Sequence, residues 1–182
     1  TKMWSVLAPS DYVFMRLCWN SALDWKDLLH EFCCKAYGKG APAMERYHLA
    51  LAERQSSAKQ EAGSFHAFPL MYDNAWIADA VKTLAAADAA ADTPADKQRI
   101  GFVAHNIEAL RLYLAYYRAT QTFDFPSARA GYDAMIVHWQ KAYDQNSDLV
   151  ANEGPAYLNR YLRQCVDQGL LYSSGSNTVV VR

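Results

Sequence analysis

Long apolar runs, glycine-rich loops, paired metal-ligand motifs and an excess of basic residues are all missing from this chain of 182 residues. No stretch of about 18 consecutive apolar residues occurs, so no segment is expected to cross a membrane. Lysine and arginine total 18 against 19 acidic residues, for a formal net charge of -1. That balance excludes the basic face a nucleic-acid partner requires. The 8 glycines are scattered; they form no phosphate-cradling loop, and no GxSxG elbow carries a nucleophile. Cys18, Cys33, Cys34 and Cys165 make no CxxC pair, and His30, His48, His66, His105 and His138 make no HExxH spacing. Neither a metal nor a cofactor is therefore expected. All four cysteines read as small buried side chains, Cys33 and Cys34 pointing apart on one helix. The N-terminus lacks a charged stretch followed by an apolar run and a cleavage site, so no signal peptide is seen. Thr1 reads as a cut inside a longer chain. The compartment is left open, periplasmic or extracellular if that longer chain carries a signal peptide.

What is present is helical periodicity. Hydrophobic residues make up 52% of the chain, enough for a sizeable core, and they recur at steps of three and four. The clearest stripe is Ile100, Val103, Ile107, Leu110, Leu114 and Tyr117 within 94–120. Thr93 is its expected cap, Pro94 its first residue, and Asp96 a favourable charge in its first turn. Segment 126–145 aligns Ala128, Tyr132, Met135, Trp139 and Tyr143. Segment 155–171 turns Leu158, Tyr161, Leu162, Cys165 and Val166 inward, with Gly169 helping to end it. Segment 75–91 buries Trp76, Ile77, Ala80, Val81 and Leu84 behind a cap at Asp73 or Asn74. Earlier, 10–18 reads as a short helix carrying Tyr12, Val13, Phe14, Leu17 and Cys18. Asp24 caps 25–37, with Trp25, Leu28, Leu29, Phe32 and Ala36 inward, and Pro42 opens a helix over roughly 41–62. The expected fold is all-α, an irregular bundle of about six or seven helices. Residues 1–172 are expected to form one helical domain, and 173–182 a flexible tail with the start of a strand at Thr178-Val179-Val180-Val181.

Candidate chemistry is sparse. A glycosidase needs two carboxylates facing each other across a sugar, and Asp24, Asp27, Glu31, Asp88, Asp92 and Glu108 all fit solvated helix faces instead. The positive signal is aromatic: Trp, Tyr and Phe make up 13% of the chain. Such rings stack on sugars, and they also fill helical cores. Trp19 and Tyr72 lie at or near breaks between helices, and His66 sits in the apolar loop 63–74; these three are the candidate substrate-binding residues. No catalytic residue is expected. Met3, Trp4, Val6 and Leu7, with Phe65, Phe68, Met71 and Tyr72 of the loop, are either a covered surface or segments folded back to complete the core.

One run carries a resemblance. Tyr12-Val13-Phe14-Met15-Arg16-Leu17-Cys18-Trp19-Asn20 is followed by Leu23-Asp24, Leu28-Leu29-His30-Glu31-Phe32, Lys35-Ala36-Tyr37-Gly38-Lys39-Gly40-Ala41-Pro42 and Met44-Glu45-Arg46-Tyr47. This resembles the segment that follows the catalytic barrel in the bacterial domain-of-unknown-function 4838 family, itself similar to the family 20 hexosaminidases and the α-glucuronidases. Members show a leucine-tryptophan-aspartate-or-asparagine step, an acidic residue, an E-F pair, a Y-Y-G-x-A-A run and a closing tyrosine. Here the first tyrosine and first alanine of that run are replaced by Ala36 and Gly40. The resemblance implies a (β/α) barrel upstream that holds the catalytic carboxylates. This chain would be an accessory helical domain packing on it, shaping one wall of its cleft. The implied partners are that barrel, a glycan and a second copy of the chain. A helical protein-interaction module unrelated to carbohydrates is the alternative. Because no facing carboxylate pair is legible, the purified chain should turn over none of a panel of chromogenic glycosides; turnover abolished by replacing one acidic residue would refute this.

Overall fold

The computed structural model describes residues 4–58, 67–147 and 158–173. All regular structure among them is helical: α1 (Trp4–Trp19), α2 (Trp25–Tyr37), α3 (Ala41–Ser56), a single turn α4 (Phe68–Met71), α5 (Asn74–Ala90), α6 (Pro94–Gln121), α7 (Phe125–Gln145) and α8 (Gln164–Ser173). A 3-10 turn, Gly38–Gly40, joins α2 to α3, and a π-helical stretch, Asn159–Arg163, leads into α8. Seven of the helices have ten residues or more, as the periodicity predicts. The chain divides into two compact units, Thr1–Glu108 and Ala109–Arg182, where the sequence suggests one domain over 1–172; the boundary falls inside α6.

In the first unit α1 packs on α2, α2 on α3, and α3 on α5. The starts of these helices follow from local chemistry. Asp24 accepts from the Lys26 N–H at 2.7 Å and Asp73 from the Trp76 N–H at 2.8 Å, each satisfying a donor the helix leaves open. Thr93 Oγ1 accepts from the Asp96 N–H at 3.1 Å and donates to Asp96 Oδ2 at 2.6 Å. The α2 stripe Leu28, Leu29, Phe32 and Ala36 is buried as read. Of the α6 stripe, Ile100, Val103, Ile107 and Leu114 are buried, whereas Leu110 and Tyr117 are half-buried. Phe102, Tyr113 and Tyr116 are buried as well, so α6 hides more than one stripe.

The core of this unit is a continuous run of rings. Trp4 and Tyr12 lie against Phe32, with centroids at 6.2 and 5.6 Å, and Phe32 meets Tyr37 edge-on at 5.9 Å. Tyr37 stacks on His48, His48 meets Tyr47, Tyr47 meets Trp76, and Trp76 packs on Tyr72 at 4.7 Å. Trp4 thus folds back onto the core through α1. Arg54, at the end of α3, donates to the Met71 carbonyl and pairs with Asp73 at 3.0 Å, tying α3 to α4 and α5.

In the second unit α7 packs on α8. Ala128, Tyr132 and Met135 are buried. Arg129 pairs with Asp133 on its own helix and reaches Asp167 on α8 at 2.9 Å. Tyr116 donates to the Leu162 carbonyl at 3.0 Å within the π-helical stretch. Phe123, at φ +57°, makes the left-handed turn between α6 and α7, and Asp124 then caps α7 by accepting from the Ser127 N–H.

Several local expectations need correction. Helix α1 starts at Trp4, not near residue 10, and holds Pro9 inside it. Proline forfeits one helical hydrogen bond; anchoring of the first turn by Trp4 on Phe32 and Tyr37 offsets that loss. The α1 stripe facing α2 runs Trp4, Ala8, Tyr12, so Phe14 lies exposed on the far side. Trp25, Val81, Tyr161 and Cys165 are also exposed: Trp25 is in line with the α2 stripe but is the first residue of that helix, and the other three lie at or beyond the edge of the buried stripe of their helices. Helix α3 ends at Ser56, where the Ser56 and Ser57 hydroxyls take the Glu53 and Arg54 carbonyls. Gly169 does not end its helix: α8 runs on to Ser173, and a Cβ on Gly169 would sit 2.1 Å from the Phe125 ring. Its role is close packing. Only Cys33 of the cysteines is buried. The strand-like run 178–181 and Phe65 and His66 lie outside the described residues.

The turn between α2 and α3 depends on its two glycines. Gly38 has φ +53°, and a Cβ there would meet Asp96 Oδ2 at 2.7 Å; one on Gly40 would meet the Ala87 carbonyl oxygen at 2.8 Å. Gly38→Ala should therefore destabilise by about 2 kcal/mol or more. Gly101 lies inside α6 with nothing within 4 Å of its absent Cβ. Gly101→Ala should stabilise by about 0.5–1 kcal/mol. Denaturant titration of the two variants checks both signs. His48 generates a pH prediction. Its Nε2 lies 3.2 Å from the Tyr37 hydroxyl, and burial holds the imidazole down at about 4. Between that value and the ordinary one, the unfolded chain takes up a proton that the native state refuses, so stability falls as pH falls through this window. The parent should lose about 2 kcal/mol more than His48→Gln between about pH 7 and pH 4.5 in paired denaturation curves. Equal losses would place the pH dependence elsewhere.

Candidate functional site: the outer face of helix α1

Helix α1 has two unlike sides. Its inner side is clamped to α2. Arg16 Nη1 donates to Tyr12 Oη at 2.7 Å and to both Glu31 oxygens at 3.2 and 3.1 Å. Lys35 Nζ pairs with Glu31 and lies 3.4 Å from Tyr12 Oη. The Lys35 hydrogen bond, with those of Tyr12 and Arg16, holds the Glu31 carboxyl down at about 2. The guanidinium also lies over the Tyr12 ring at 5.5 Å.

The outer side and the C-terminal end of α1 carry apolar groups without such cover. Phe14 is 68% exposed, Met15 69% and Trp19 92%, with Leu7 and Cys18 also exposed. Steps of seven and four place Leu7, Phe14 and Cys18 on one side of a 3.6-residue helix, away from α2, whereas Met15 and Trp19, seven residues on from Ala8 and Tyr12, continue the line of the inner stripe and are exposed at the C-terminal end of α1. Trp19 stands at the helix end because the chain turns immediately after it. Asn20 N–H closes on the Arg16 carbonyl at 3.0 Å, and Asn20 Oδ1 accepts from the Ala22 N–H at 3.1 Å. The turn is satisfied by its own backbone and by Asn20, which leaves the indole free of any role in holding it.

The residues singled out from sequence fall in different surroundings. Trp19 presents its ring to solvent. Tyr72 is buried between Phe68 and Trp76, and its hydroxyl lies 3.4 Å from Gln55 Nε2; burial raises its pKa. His66 lies outside the described residues. The acidic candidates are occupied or dispersed: Asp24 caps α2, Glu31 belongs to the α1–α2 clamp, and Asp92 pairs with Lys39 at 2.8 Å. Asp88 and Glu108 line a groove of about 330 Å³ between α5 and α6, whose walls are otherwise aliphatic and glycine: Val81, Leu84, Ala85, Ile100, Gly101, Ala104 and Ile107. That groove has no ring for a sugar to stack on. Among the described residues no group of three His, Cys, Asp or Glu side chains could hold a metal ion, and no helix is long and apolar enough to cross a membrane.

Sequence reasoning grouped Phe14 with Tyr12, Val13, Leu17 and Cys18 on one short helix without separating its two sides. The available signal was the seven-residue step from Leu7 to Phe14 and the four-residue step on to Cys18, interrupted by Asp11 on the same side. A face that includes Asp11 is a poor core face and an ordinary contact face. Comparison with protein-family models, with curated proteins and with solved structures finds no match to this chain.

Proposed function

We propose that this chain is an accessory helical region of a glycoside-hydrolase-like protein, packing on a catalytic barrel outside the chain through the outer face of α1. The observation that carries the reading is the exposure of Phe14, Met15 and Trp19 together on the C-terminal half of a helix held in place through Tyr12 and Arg16. Clustered exposed apolar groups mark contact surfaces, whereas scattered ones are ordinary. The identity of the occupant rests on the resemblance over residues 12–47. That run builds the second half of α1, all of α2, the glycine turn and the first half of α3, so the resembling residues and the exposed face belong to one substructure. Trp19, at the end of the face, is placed in this reading to line the barrel's cleft and stack on a glycan.

The test is a triple variant, Phe14→Gln, Met15→Gln and Trp19→Gln, with glutamine chosen to keep helix propensity. In isolation the parent chain should bind a hydrophobic dye and scatter light more than the variant. The variant's stability should change by less than about 1 kcal/mol, as surface substitutions do. A sharp fall in melting temperature would mean that these groups complete the core. A separately produced catalytic barrel of the family, co-expressed with the chain, should co-purify with the parent and not with the variant. Retention by both, or by neither, would overturn the reading.

A further inference from the structure

On the surface formed by α2 and α3, away from the clamp on Glu31, three side chains are arranged in series. His30 and Cys34 are one helical turn apart on α2, with Cys34 Sγ 3.5 Å from His30 Nε2. On the other side of the imidazole, His30 Nδ1 lies 2.7 Å from Glu45 Oε2 on α3. Cys34 is exposed and His30 is 62% exposed at its side chain, so the thiol is open to a solute.

We propose that Cys34 is a reactive thiol served by His30 as its base and Glu45 as the group that orients the base, and that it undergoes exchange with small soluble disulfides. A carboxylate accepts hydrogen bonds and donates none. Glu45 therefore fixes the imidazole proton on Nδ1 and turns the Nε2 lone pair toward Sγ. Nucleophile, base and orienting group within hydrogen-bond reach of one another are the parts of an activated thiol. The reaction balances without a further oxidant. The Cys34 S–H proton passes to His30 Nε2, and the thiolate attacks one sulfur of the incoming disulfide. A new S–S bond forms as the old one breaks, and the departing thiolate takes the proton back from His30. The neighbouring thiol does not intervene. Cys33 is fully buried, and burial pushes its thiol up to about 12, which leaves it protonated and facing the core. The product is thus a mixed disulfide at Cys34.

The chain supplies its own controls, because Cys18 and Cys165 are exposed as well. The full chain is treated with oxidised glutathione near neutral pH and quenched with acid over time, and each cysteine is followed by peptide mass mapping. Cys34 should form its mixed disulfide at least about tenfold faster than Cys18 or Cys165, a threshold set below the roughly 10²–10⁴-fold that a positioned base contributes. His30→Gln should bring Cys34 down to the rate of the two controls, and Glu45→Gln should lower it severalfold. Both positions are outside the core, and an unchanged helical circular dichroism spectrum confirms that the variants fold. Equal rates at all three exposed cysteines would overturn the proposal. So would a fast Cys34 that His30→Gln leaves unchanged, since exposure alone would then account for it.

Discussion

The contact on which the first unit depends is the seating of the Gly38-Lys39-Gly40 turn against the end of α5 and the start of α6. There is no room for side chains at either glycine: the absent Cβ positions fall 2.7 Å from Asp96 Oδ2 and 2.8 Å from the Ala87 carbonyl oxygen. The groups around the turn are fixed by several partners at once. Asp96 is held by Thr93 and Arg99, Arg99 also donates to the Ala36 carbonyl at 3.2 Å, and Lys39 pairs with Asp92. A carbonyl left open at the end of α2 is thereby satisfied by a side chain sixty-three residues further along. Buried backbone groups require such partners. The angle between α2 and α3 is set where the two helices meet the rest of the unit, and the ring series from Phe32 to Trp76 is assembled as a result.

That ring series gives the aromatic content a structural purpose. Tyr37 is fully buried, and burial raises the pKa of both Tyr37 and Tyr47. His48 is kept neutral beside them, which costs proton affinity and links the stability of the unit to pH. Rings in this position cannot also serve as a platform for a ligand. Among the described residues the exposed rings include Trp25, Phe123 and Tyr161 as well as Phe14 and Trp19 of α1, and the last two belong to the surface proposed to dock. Fold and proposed function therefore draw on different rings from one compositional signal.

The two surfaces with chemical potential are independent of each other. The outer face of α1 offers apolar area and little specific chemistry, as suits docking against another domain. The Cys34–His30–Glu45 series offers directed polar chemistry on an open surface and little area. Cys34 and His30 stand four residues apart on α2, a step visible in the sequence although it was not singled out there. Glu45 was not legible beside them, because nothing in a single sequence says which residue of α3 stands opposite His30.

By itself the sequence determined where most helices begin and the apolar periodicity that marks a candidate core stripe on each. A cap such as Asp24, Asp73 or Thr93 acts on backbone groups two or three residues away, and a stripe such as Leu28, Leu29, Phe32 and Ala36 follows from the helical period alone. These are local causes, and they act within one or two turns. Tertiary structure decided which side of each helix counted as inside. The α1 helix could bury the stripe of Phe14 or the stripe of Tyr12, and contact with Phe32 and Glu31 of α2 selected the second. Gly169 reads locally as a helix stop, yet the Phe125 ring occupies the space over it and the helix continues. Tyr72 sits at a break in the chain, where a surface ring is the local expectation, and Trp76 and Phe68 close around it. In each case the deciding neighbour is distant in sequence or on another element, and the free energy of burying a ring or satisfying a charge outweighs the few tenths of a kcal/mol by which local preferences differ.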